Sequence, residues 1–172
     1  MISVSKNPGP SAWNDLLPKR EPLPSLSGNL KSDWLIVGAG FAGLSAARRV
    51  QQEAPNDSIV ILDAQGLASG PAGRNSGFMI DLPHDLASDD YGGQIEKDRE
   101  TITQNRYAIK FAKETVETLQ LPKECFKEIG KINGAATAKG MRHNHDYAKH
   151  LSKLGEKYEC LDANSMRDIT GT

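Results

Sequence analysis

Three glycines, Gly38, Gly40 and Gly43, constrain what this chain can fold into more than any other feature. They stand in the run Gly38-Ala39-Gly40-Phe41-Ala42-Gly43, directly after Trp34-Leu35-Ile36-Val37, a short apolar stretch without alternation. Such a stretch suits a strand buried on both faces of a parallel sheet. Leu44, Ala46, Ala47 and Val50 continue in a helical pattern as far as Ala54, where Pro55-Asn56-Asp57 supplies a turn. Ser58 to Leu62 reads as a second strand ending at Asp63. Together these pieces make a βαβ unit of about 30 residues.

The spacing has a physical meaning. Gly38 turns the chain tightly at the end of the strand, Gly40 lets the main chain approach a pyrophosphate with no Cβ in the way, and Gly43 lets the helix pack close to the sheet. Phe41 and Ala42 lie in the first helical turn, whose N–H groups and positive dipole end face the phosphates. Asp63 is placed to accept hydrogen bonds from a ribose diol, with Ala64 beside it, and a carboxylate there disfavours a 2′-phosphate and hence NADP.

Between FAD and NAD, the next segment decides. Residues 65–77 are rich in Gly, Ser and Ala, with Ser69, Gly70, Arg74, Asn75, Ser76 and Gly77 following the ribose position. Backbone in such a loop can approach a ligand closely and wrap the phosphates. The stretches DWLIVGAGFAGLSAA, ILDA and above all ASGPAGRNSGF closely resemble the N-terminal region of FAD-dependent oxidoreductases of the D-amino-acid oxidase and glycine oxidase type. The nearest look is to the gamma-glutamylputrescine oxidase-like subgroup. The likeness runs from about Trp34 onward, through KINGAATAKGMRHNHDYAKHLSKLG to LDANSMRDITGT.

That resemblance implies an FAD site in which Gly38, Gly40 and Gly43 hold the pyrophosphate, Asp63 holds the adenosine ribose, and Arg74, Asn75, Ser76 and Gly77 lie along the phosphate and isoalloxazine. Ser69 is a further candidate for a phosphate hydrogen bond. It implies an amine or amino-acid substrate giving hydride to flavin N5, with the imine hydrolysed by water. The implied fold class is α/β: a Rossmann-like FAD-binding βαβ unit with part of an α+β substrate domain, incomplete without a second chain. The expected partner is a second polypeptide completing both domains, and no catalytic residue is assigned. An NAD-dependent reductase and a non-catalytic nucleotide-binding subunit are the alternatives.

Composition narrows the field. A chain of 172 residues holds one ordinary domain or part of a larger one. A net charge of -1 argues against nucleic acid as a partner. There is no signal-peptide core at the start and no stretch of about 20 apolar residues for a membrane span, so the expectation is a soluble, cytoplasmic protein. Cys125 and Cys160 form no CxxC pair and are expected as reduced, partly buried thiols.

Residues 1–32 carry Pro8, Pro10, Pro18, Pro22 and Pro24 and read as an extended arm that Trp13, Leu16 and Leu17 anchor on the domain. The FAD-binding unit with its flavin loop is expected over 33–92 and the substrate-domain segment over 93–172. Within the latter, Ile95, Ile102, Ile109 and Val116 make one apolar stripe on a helix over 94–119, flanked by Ala112 and Leu119. One or two strands are expected over 126–136, a helix over 147–154, a strand over 158–161 and a helical turn or two over 163–169. Arg99, Arg106 and Lys110 are read as a charged helix face with Glu96 and Glu114. His143, His145 and His150 with Asp146 lack metal-ligand spacing and are read as solvated helix residues, so no metal is expected. His84, between Pro83 and Asp85, is read as a loop histidine, with a part in substrate proton transfer as the sharper reading.

Overall fold

In the computed structural model, the apolar run after Asp33 forms strand β1 (Trp34–Val37), and the run after Ser58 forms β2 (Ile59–Leu62). They pair in parallel, with Trp34 opposite Ile59 and Val37 opposite Leu62. A reciprocal lock sets this register: Asp33 Oδ2 accepts from the Ser58 amide at 2.8 Å and from its hydroxyl at 2.7 Å, while the Asp33 amide donates to Ser58 Oγ at 3.0 Å. Trp34 Nε1 donates to Asp57 Oδ2 at 2.8 Å just beside it. Helix α2 (Phe41–Glu53) connects the strands and closes a complete βαβ unit.

The structure describes residues 9–21, 23–83 and 95–171. The described residues divide into two compact units, the first ending at Phe78 and the second beginning at Met79. The expected boundary between 92 and 93 lies outside the described residues. The first unit also holds a one-turn helix, α1 (Ala12–Asp15), N-capped by Ser11 Oγ accepting from the Asn14 amide at 3.2 Å. A single 3-10 turn, Pro71–Gly73, follows β2.

The second unit is helical. Helix α3 (Ile95–Thr118) carries the seven-residue stripe, of which Ile102 is buried while Ile95, Ile109 and Val116 are half-buried. Helix α4 (Ala138–Leu154) contributes Tyr147 and Leu151 to the core. Helix α5 (Ala163–Thr170) starts at Asp162, whose carboxylate accepts from the Ser165 amide at 2.8 Å. Arg106 on α3 ties this unit together: it gives Nε to Asp81 at 2.9 Å and both Nη groups to the Glu156 carboxylate at 3.0 and 2.7 Å. Arg99 and Lys110 do pair along α3 with Glu96 and Glu114, so Arg106 alone leaves the expected charged face.

Several sequence expectations need correction. Among the described residues the sheet has two strands, so β1 is not buried on both faces: Leu35 is 59% exposed and Val37 82%. Residues 126–136 and 158–161 form no strand; Phe126 is extended, but extended backbone with no neighbour to complete a ladder gains nothing from β-propensity. Helix α4 starts nine residues before the expected 147, because Thr137 Oγ1 accepts from the Gly140 amide at 3.1 Å and caps a turn that Gly140 otherwise argues against. His150 is buried, not solvated, with Nε2 2.7 Å from Asp98 Oδ2. Cys125 and Cys160 are exposed rather than partly buried.

Candidate functional site

The glycine turn separates into positions that the protein's own packing explains and positions that it does not. Gly38 has φ of +100°, a left-handed conformation that favours glycine, and its amide donates to Leu62 O at 2.7 Å. At Gly43 an added Cβ would sit 1.9 Å from Gly38 O, so close packing of α2 on the turn demands glycine there. Gly40 is different. Its φ is -83°, and a Cβ built on it meets nothing within 4 Å. Neither conformation nor neighbours require glycine at this point, and the backbone there stands open to an approaching group.

Gly40 is also the N-cap of α2, and no side chain caps it, nor is there an acidic residue in the first turn. A helix start of this kind offers N–H groups and positive potential to an anion. Phe41 (68% exposed) and Ala42 lie open on that first turn.

Asp63 follows the end of β2 and turns back to the glycine turn. Its Oδ2 accepts from the Ala39 amide at 2.7 Å and its Oδ1 from the Gln65 amide at 2.8 Å. The Ala39 bond first, and the Gln65 bond second, hold the carboxyl below its usual 3.8, so it is ionised at neutral pH. A carboxylate has about four acceptor sites, and two amides leave room for hydroxyl donors. The two halves of the motif are therefore already joined, and Ala64 beside them is exposed.

The loop beyond Asp63 is braced internally. Arg74 Nε donates to Ser69 O at 3.1 Å, and its Nη2 donates to Gly9 O. Asn75 Nδ2 donates to Ala72 O at 2.7 Å while Asn75 Oδ1 accepts from the Gly77 amide at 2.8 Å. Ser69 and Gly70 are half-buried and Ser76 is exposed. Ala68, with φ of +58°, sits in the left-handed region, at about 1–2 kcal/mol for a residue with a Cβ. The structure thus gathers Gly38, Gly40, Gly43 and Asp63 about one turn. Ser69 to Gly77 form a self-supporting loop in which Arg74 binds backbone carbonyls.

Sequence reasoning missed the reach of the arm into this loop. Trp13 Nε1 donates to Asn75 O at 2.8 Å and Asn14 Nδ2 to Leu67 O at 3.3 Å. The signals were Ser11 as an N-cap and Trp13 as an apolar anchor; Leu16 and Leu17 remain largely exposed. His84 lies outside the described residues. Among the described residues no group of three or more metal-ligating side chains converges.

Comparison with known proteins supplies the context. The "FAD dependent oxidoreductase" family model matches residues 33–171. A gamma-glutamylputrescine oxidoreductase of Escherichia coli (strain K12) is 26% identical over 153 residues, covering 87% of this chain and 34% of the relative. A probable oxidoreductase, OrdL, of Rhizobium meliloti (strain 1021) is 32% identical over 71 residues, covering 41% of this chain and 16% of the relative. The chain thus spans about a third or less of the length of these curated relatives. No solved structure matches it. With the family model covering the glycine turn, Asp63, the loop and the second unit alike, the chain belongs to the FAD-dependent oxidoreductases, a family that binds FAD.

Proposed function

We propose that this chain is the FAD-binding part of a flavin-dependent oxidase or dehydrogenase of amines or amino acids. The observation that carries the reading is the open cradle at Gly40, a glycine that nothing in the protein requires, set between the uncapped start of α2 and an ionised Asp63. Asp63 would take the adenosine ribose, Gly38 to Gly43 the pyrophosphate, and the Ser69 to Gly77 loop the path toward the ring. The bound flavin would supply a hydride acceptor at N5 for the α-carbon of a neutral amine, leaving an iminium that loses its N–H proton to give an imine, which water hydrolyses. An amine substrate is supported by the name of the Escherichia coli relative, which describes that enzyme as acting on gamma-glutamylputrescine. A second polypeptide would cover Leu35, Val37 and Phe41 and complete the sheet.

The test is flavin content. The purified full chain should retain FAD, visible in its yellow absorbance, and Gly40→Val should abolish retention because the branched side chain fills the cradle. Flavin content unchanged in Gly40→Val would sink the assignment.

A further inference from the structure

We infer that the N-terminal arm is part of the cofactor site, with Trp13 as a positioning residue that holds the loop over 66–77 in its binding conformation. The inference rests on the FAD reading above and adds the residues that shape its loop.

Two loop glycines carry the argument. At Gly77, φ is +78° and an added Cβ would lie 2.9 Å from Trp13 Cζ2. At Gly73, an added Cβ would lie 2.9 Å from Ser11 Oγ and 1.9 Å from Ala68 O. Gly70, between them and the ribose position, meets nothing within 4 Å. The loop thus uses glycine in different ways: Gly70 is open outward, Gly73 makes room first for the loop's own Ala68 carbonyl and then for Ser11, and Gly77 makes room for Trp13.

The arm grips the loop along its whole length. Ser11 is buried, with Oγ 3.5 Å from Ala68 O, at the outer limit of a hydrogen bond. Asn14 reaches Leu67 and Trp13 reaches Asn75, while Arg74 of the loop returns a bond to Gly9 of the arm. Four residues of helix do not persist alone in water, so α1 owes its existence to this docking. Whatever holds the loop in one conformation lowers the ordering cost of binding, and ligand and arm therefore favour each other reciprocally.

The experiment compares the full chain with Trp13→Ala, Trp13→Phe and Leu23→Ala, the last a control at a 91% exposed arm residue. Hydrogen exchange without FAD should quicken at Ser69, Gly73, Arg74 and Gly77 in Trp13→Ala, and FAD titration should show about a tenfold rise in Kd with an altered visible flavin band. Trp13→Phe, which keeps a ring against Gly77, should recover most of both effects, and Leu23→Ala should show neither. Unchanged loop exchange in Trp13→Ala overturns the docking; quickened exchange with unchanged Kd and flavin band overturns the coupling. A parent chain that binds no FAD defeats the FAD reading itself, while the exchange comparison still decides whether the arm holds the loop.

Discussion

At Asp33 one carboxylate oxygen receives both the amide and the hydroxyl of Ser58, so a single exposed side chain fixes where β2 starts against β1. The Ser58 hydroxyl first, then its amide, keeps the Asp33 carboxyl below the usual 3.8. The folded chain therefore binds this proton less readily than the unfolded chain. Its stabilisation is complete above the ordinary carboxylate value and is lost as pH falls through that value toward the lowered one. Asp33→Asn should melt at a lower temperature than the parent near neutrality, and the difference should shrink in acid. Thermal unfolding followed across that range checks this; a difference that stays constant on acidification counts against it.

Among elements, α3 and the segment after α4 depend on Arg106, whose planar fork meets Glu156 with two bonds and Asp81 with a third. Arg106→Ala should destabilise the second unit by about 1 kcal/mol, and Arg106→Lys should restore little, because an ammonium cannot match the two-oxygen geometry. Denaturant unfolding of the three proteins measures it. The elements also mark where sequence was legible. β1, α2 and β2 were readable because their contacts are local and each carries its own signal in apolar runs, glycines and a terminal acid. α3 was readable from its repeating isoleucines. The strands expected near Ile129 and Tyr158 were not there, since pairing is a property of two segments and neither has a strand beside it among the described residues. His150 was misjudged because its burial depends on Asp98, 52 residues away. At the site, the glycine turn was plain in sequence, whereas the part played by Ser11 and Asn14 was not, because a polar side chain in a proline-rich arm carries no mark of what it will touch.

For the whole molecule, the uncovered surface is the main fact. Leu35, Val37 and Phe41 stand open around the sheet, and between α2 and β2 lies a groove of about 440 Å³ whose walls include Leu44, Ala47, Ile59 and Ile61. Native mass spectrometry of the assembly purified from its own cells should show a second polypeptide bound beside this chain; an assembly holding this chain with no second polypeptide would contradict the two-chain reading. The sheet lock and the arm latch also differ in how far they reach along the chain. Asp33 and Ser58 are 25 residues apart, whereas Trp13 and Asn75 are 62 apart. Closing the longer loop costs roughly 0.8 kcal/mol more in chain entropy. As the polypeptide leaves the ribosome, the βαβ unit can therefore assemble first, and the arm must wait beside it until the loop has been synthesised for it to grasp.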